Sequence, residues 1–123
     1  MEFNNNIPIY IQIVEQIKVK IISGVLCAEE RLPSVREFAI QMQVNPNTMQ
    51  KALTELEELG LIFTERTNGK FVTKDKGLIE KYKAEYAKEL SEKYFENMLG
   101  IGYTKKQVLD YLKELKGEEK WHY

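Results

Sequence analysis

At 123 residues the chain fits one ordinary domain, or a small domain with an appendage, which excludes a multi-domain enzyme. Its 43% hydrophobic and 30% charged residues, with a net charge of −1, place it among globular chains and outside the region of low hydrophobicity and high net charge that stays disordered. Apolar runs fall far short of the roughly 20 residues of a membrane helix, the N-terminus lacks the cationic and apolar regions of a secretory signal, and the single cysteine, Cys27, excludes an internal disulfide or a cysteine-based metal cluster. A cytoplasmic protein with no membrane span is therefore expected, with Cys27 as a small semi-buried side chain.

The first element is predicted over residues 8–23, because Tyr10, Ile13, Val14, Ile17 and Ile21 recur at the three-and-four spacing of one helix face. Pro8 suits the first helical turn, where its missing N–H costs nothing, and Gly24 suits the left-handed position just past the end. Ile11 and Ile22 lie off this stripe and are candidates for contact with a second chain. After Leu32-Pro33, the run Ser34-Val35-Arg36-Glu37 reads as a capping box, in which hydroxyl and carboxylate each satisfy an orphan helix N–H. It opens a short helix with Val35, Phe38, Ala39 and Met42 on its apolar face, ending near Gln43. Asn45 is then the N-cap, and Pro46 the first residue, of a third helix. That helix reaches about Leu59, with Met49, Ala52, Leu53 and Leu56 inward and Gly60 as its stop.

From Leu61 the period changes. Residues 61–65 and 70–73 are strand-like, and Asn68-Gly69 between them reads as a type I′ turn, which needs positive φ at both central residues. From Gly77 the helical period returns, with Ile79, Tyr82, Tyr86, Leu90 and Tyr94 or Phe95 on one stripe as far as about Met98. Gly100 and Gly102 interrupt it. Thr104-Lys105-Lys106-Gln107 is a second capping box, opening a last helix with Val108, Tyr111, Leu112 and Leu115 inward, and Trp121 is the anchor candidate of the remaining tail. The expected fold is mainly α with a small β-hairpin: a winged helix-turn-helix over residues 1–75, then a two-helix segment over 76–123.

Catalysis finds little support in these residues. The one histidine, His122, sits in a polar tail, where it lacks the rigid surroundings a general base or ligand needs. Glu55, Glu57 and Glu58 read as helix surface, and there is no phosphate-binding loop, dinucleotide fingerprint or metal-ligand spacing. Neither an enzyme nor a bound cofactor or metal is expected. The stretch from Phe38 to Thr54, by contrast, contains no acid, although residues 1–75 carry 8 basic and 10 acidic side chains. When two short helices meet at a tight turn, the second can present its N-terminal side chains to a major groove. Here Asn45, Asn47, Thr48, Gln50 and Lys51 offer amide, hydroxyl and ammonium groups to base edges and phosphates, where carboxylates would be repelled. Ser34 and Arg36 would hold phosphate at the start of the crossing helix, and Arg66, Asn68, Gly69 and Lys70 form a basic hairpin tip suited to the backbone or minor groove. The acidic balance of residues 1–75 supports a rival reading, a winged-helix protein-interaction module without DNA binding.

Four ordered blocks carry a resemblance: Leu32-Pro33-Ser34-Val35-Arg36-Glu37-Phe38-Ala39, Val44-Asn45-Pro46-Asn47-Thr48, Leu56-Glu57-Glu58-Leu59-Gly60-Leu61-Ile62 and Gly69-Lys70-Phe71-Val72. With them the chain resembles the GntR family of bacterial winged-helix transcription regulators over roughly residues 7–73, and its short tail is similar to that of the YtrA subfamily, where the tail serves dimerisation. Where that family usually has Arg-Gly-x-Gly in the wing, this chain has Arg66-Thr67-Asn68-Gly69. The resemblance implies a homodimeric, sequence-specific regulator, a repressor of a pseudo-palindromic operator, and it hints at a transporter operon; a small-molecule effector is left open. Ile79, Tyr82, Tyr86, Leu90, Val108, Tyr111 and Leu112 are the interface candidates, because a 48-residue segment barely sustains a core without pairing.

Overall fold

In the computed structural model, which describes residues 5–116, helix α1 (Ile9–Ile22) carries the first apolar stripe. Pro8 stands just ahead of the helix rather than within it: its backbone is extended, and its carbonyl accepts from the N–H groups of Ile11 and Gln12 at 3.1 and 3.3 Å. Ile13, Val14, Ile17 and Ile21 are buried, as their spacing predicts. Ile22 is buried too and so is used within its own chain, whereas Ile11 stays exposed. Gly24, at φ +84°, makes the left-handed turn that ends the helix. Cys27 is exposed rather than semi-buried, with its thiol donating to the Gly24 carbonyl at 3.4 Å.

Helices α2 (Val35–Met42) and α3 (Pro46–Glu58) follow, then strands β1 (Ile62–Glu65) and β2 (Gly69–Val72), which pair antiparallel with Ile62 opposite Val72 and Glu65 opposite Gly69. One core serves all of them. Ile13, Ile17 and Ile21 from α1, Phe38 and Met42 from α2, and Met49, Leu53 and Leu56 from α3 close on Leu61, Ile62 and Val72. Burying side chains of this size contributes about 1.5–3 kcal/mol each, so the shared core, more than helix propensity, fixes the angles between these short helices. The segment before α2 extends the sheet, because Arg31 bridges Phe71, the Leu32 N–H donates to the Lys70 carbonyl at 2.8 Å and the Val72 N–H donates to the Glu30 carbonyl at 2.9 Å.

The hairpin turn departs from the type I′ expectation. The Asn68 N–H closes on the Glu65 carbonyl at 3.3 Å, and Gly69 alone has positive φ, +101°, so the turn is built over 65–68 and the left-handed residue comes after it.

Helix α4 (Lys76–Gly100) is one continuous element of 25 residues. The chain divides within it into two compact units, one ending at Lys83 and the other beginning at Ala84. In the first unit the Asp75 carboxylate accepts from the Leu78 N–H at 3.0 Å, and Ile79 and Tyr82 pack half-buried against the core. The Tyr82 hydroxyl donates to the Leu59 carbonyl at 3.1 Å, and the Lys18 ammonium lies 4.9 Å above its ring. The second unit holds the remainder of α4 and helix α5 (Lys105–Lys116). Here the capping box forms in full, with the Thr104 N–H donating to the Gln107 side chain at 2.9 Å and the Gln107 N–H donating to the Thr104 hydroxyl at 3.2 Å. Val108 is fully buried, while Leu90, Ile101, Leu109, Tyr111 and Leu112 are exposed. Trp121 and His122 lie outside the described residues. Among the described residues no helix is long and apolar enough to cross a membrane.

Candidate nucleic-acid interface

Helix α3 is aimed by the turn that precedes it. Gln43 adopts the left-handed conformation at φ 56°, its N–H donates to the Ile40 carbonyl at 3.1 Å, and the Val44 N–H donates to the Ala39 carbonyl at 3.0 Å. Asn45 then caps α3, with its side-chain oxygen accepting the Asn47 N–H at 2.7 Å. Three residues, 43–45, therefore reverse the chain between α2 and α3. Met49, Ala52, Leu53 and Leu56 are fully buried, which turns Asn45, Asn47, Gln50 and Lys51 outward and leaves Thr48 half-buried beside them. The helix-turn-helix face expected from the acid-free stretch is thus assembled.

Within that face the side chains divide into committed and open groups. Ser34 caps α2: its hydroxyl accepts the Glu37 N–H at 3.2 Å and donates to the Glu37 carboxylate at 3.0 Å. This is half of the predicted capping box, since the carboxylate takes the hydroxyl proton instead of the Ser34 N–H. The Gln50 amide donates to the Thr54 hydroxyl at 3.3 Å, and the Lys51 ammonium sits 4.1 Å over the Tyr10 ring of α1, a cation–π contact that draws it back toward α1. Asn47, Thr48 and Arg36 have no side-chain hydrogen bond or ion pair to any described residue. They are the groups of this face open to a partner.

On the ribbon, Lys70 is tied down. Its ammonium meets the Glu57 carboxylate of α3 at 2.5 Å and the Thr64 hydroxyl at 3.0 Å, and the Thr64 hydroxyl donates to the same Glu57 oxygen at 2.5 Å. Partial burial alone would raise the Glu57 pKa, but the hydrogen bonds from Lys70 and Thr64 and the Lys70 charge outweigh it and hold the carboxyl below the ordinary range. Lys70 therefore locks the wing to α3, while Asn68 donates to the Glu65 carboxylate at 3.1 Å and shapes the tip. Arg66 is exposed and has no such bond among the described residues. Between this ribbon and the start of α2 runs an open groove, lined by Arg31, Ser34, Glu37, Arg66, Gly69 and Lys70 among others. Arg31 is a groove residue that sequence reasoning missed, and its neighbours Glu29 and Glu30 explain why, since nothing local marks it as part of a basic surface. Among the described residues no three His, Cys, Asp or Glu side chains converge to hold a metal ion.

The profile of the family described as "Bacterial regulatory proteins, gntR family" matches residues 9–72. Among curated relatives, the HTH-type transcriptional regulator YhcF of Bacillus subtilis is 37% identical over 112 residues, covering 91% of this chain and 93% of that protein. The HTH-type transcriptional repressor YtrA of the same organism is 43% identical over 68 residues, 55% of this chain and 52% of that protein. A GntR family transcriptional regulator from Listeria monocytogenes superimposes with a TM-score of 0.83 at 40% identity, covering 91% of this chain and 98% of that one. The AraR DNA-binding domain in complex with operator ORR3 gives a TM-score of 0.52 at 30% identity, over 59% of this chain and 86% of that one. The family profile spans the winged helix, the likeness to full-length regulators takes in 91% of the chain, and the chain belongs to the GntR family of bacterial transcription regulators.

Proposed function

We propose that this chain is a cytoplasmic, homodimeric repressor that binds a pseudo-palindromic operator, one half-site per winged helix. The observation that carries the reading is the outward N-terminal face of α3, where Asn47 and Thr48 are open for base edges and no carboxylate intrudes. Arg36 in the first turn of α2, and Arg66 at the wing, flank that face as phosphate contacts, which set register without reading sequence. Repression rather than activation follows the relatives named as repressors, and control of a transporter operon follows the likeness to the YtrA subfamily. Dimerisation is supported by the second unit, in which Leu90, Tyr111 and Leu112 are exposed on two helices. Tyr86 is half-buried there and Val108 fully buried, whereas Ile79 and Tyr82 already pack on the core of the winged helix.

The test is to enrich duplexes from a random-sequence pool with the full chain and to measure the stoichiometry of the complex by sedimentation. The expected product is an inverted repeat with half-sites about one helical turn apart, or a multiple of it, bound by two chains. Leu112→Glu should give a monomer that binds the same duplex more weakly. A pool left unenriched after repeated selection refutes the proposal and favours the protein-interaction module.

A further inference from the structure

Of the cations that the wing's own sequence offers, only Arg66 is left without a partner among the described residues. Lys70 is engaged by Glu57 and Thr64, and the Lys74 ammonium sits 5.5 Å over the Phe63 ring. That leaves Arg66 at the tip and Arg31 on the segment that pairs with β2, both lining the groove. We propose that Arg31 is a phosphate-gripping residue of the wing, working with Arg66 to hold the backbone of a bound duplex in the groove between the wing and α2. The inference rests on the DNA-binding reading above and adds to it a contact that no part of the helix-turn-helix supplies.

Three features of the groove support it. The Arg31 backbone is held by the bridge to Phe71 and by the adjoining Leu32 N–H bond to the Lys70 carbonyl, so its long side chain projects from a fixed base. Its guanidinium lies beside the turn at Gly69, where a β-carbon would stand 3.6 Å from Nε and 3.7 Å from a terminal nitrogen, and the residue is exposed, so the fork rests along the hairpin while staying accessible to a partner. The groove's acids are each turned to a local donor. Glu30 accepts the Cys27 N–H at 3.0 Å, Glu37 accepts the Ser34 hydroxyl at 3.0 Å and Glu65 accepts the Asn68 amide at 3.1 Å, and none of them pairs with Arg31 or Arg66. Two guanidinium groups without a carboxylate partner, both lining one groove, suit a phosphodiester that accepts two parallel N–H bonds from each fork.

The experiment uses fluorescence anisotropy of the full chain with a mixed-sequence duplex of about 30 base pairs, three helical turns, across a potassium chloride series. Phosphate contacts do not depend on sequence, so no operator is needed. Arg31→Gln should weaken binding about tenfold at low salt, the order of one charge-assisted contact, and lower the slope of log affinity against log salt by about one. Arg31→Lys should restore most of the slope, and both variants should melt as the wild type does, because the Arg31 side chain has no hydrogen-bond partner to lose. Lys70→Gln should do the opposite, lowering the melting temperature and leaving the slope in place. A wild-type slope in Arg31→Gln overturns this inference alone, and absence of any salt-dependent binding by the wild type overturns it together with the DNA-binding reading.

Discussion

Asn47→Asp exchanges an amide for a carboxylate of the same shape at the second position of α3, where the first turn carries no acid and the side chain makes no hydrogen bond to the described residues. A negative charge there meets the positive end of the helix dipole and should stabilise the free protein by about 0.5 kcal/mol. In a winged helix of this size that corresponds to a rise of about 2–4 °C in melting temperature. In the proposed complex the same charge would face the duplex. One amide-to-base pair worth about 1–3 kcal/mol is lost and a carboxylate is set against phosphates, so affinity for the enriched duplex should fall about 10- to 100-fold. Circular dichroism melting and anisotropy on the same preparation therefore move in opposite directions. A variant that binds as tightly as the wild type would show that Asn47 does not face the bases. Joint loss of stability and affinity would show that Asn47 is not the free, outward group described above.

Three further substitutions probe the framework. Because the Glu57 carboxyl is held below its ordinary pKa, its contribution is present above the unfolded carboxylate range and fades as pH falls through the lowered value; Glu57→Gln should melt lower than the wild type near pH ~7, with the gap closing as the pH falls below the ordinary carboxylate range, and a gap that stays constant would refute the linkage. Gln43→Gly removes the cost of about 1–2 kcal/mol for a left-handed L-residue and adds back about 0.5–1 kcal/mol of unfolded-state entropy, so the urea midpoint should rise modestly rather than fall. Leu53→Ala empties a fully buried site in the shared core and should cost about 3 kcal/mol in urea unfolding, falling toward about 2 kcal/mol if the helices close over the cavity; a cost below about 1 kcal/mol would refute its burial.

The helices α1, α2 and α3 were legible because each buries one face against a common core, and that requirement writes a 3.6-residue period into the sequence. Met49, Ala52, Leu53 and Leu56 are spaced as they are for this reason, and the caps at Ser34, Asn45 and Thr104 stand out because a helix end leaves N–H groups that only a few side chains can satisfy. Contacts between residues distant in sequence leave no such mark. Nothing in the run Glu55 to Glu58 distinguishes the carboxylate that meets Lys70, 13 residues on, and nothing near Lys51 announces Tyr10 as its seat. Arg31 pairs with the sheet at a single bridge, too short for any alternation of apolar and polar residues to develop. The two turns of α4 that carry Ile79 and Tyr82 look like the start of an independent amphipathic helix, and only the position of Leu59, 23 residues before Tyr82, reveals that they belong to the winged helix. The turn at Asn68-Gly69 differs from the type I′ expectation for another reason: the same dipeptide serves loops of several lengths, and the register that selects among them is set by the strands.

If α3 and the wing both meet a duplex, as proposed above, the lock formed by Glu57, Thr64 and Lys70 bears on how one sequence is told from another. Recognition helix and ribbon are joined through both strands, so their separation acts as a ruler that is set before any duplex arrives. A duplex meeting both must do the adjusting itself, by narrowing a groove or kinking at a base step. Bends of that kind cost roughly 1–6 kcal/mol depending on the steps involved, and pyrimidine–purine steps yield most readily. Discrimination would then extend to base pairs lying between the helix and the wing, which no side chain of this protein touches.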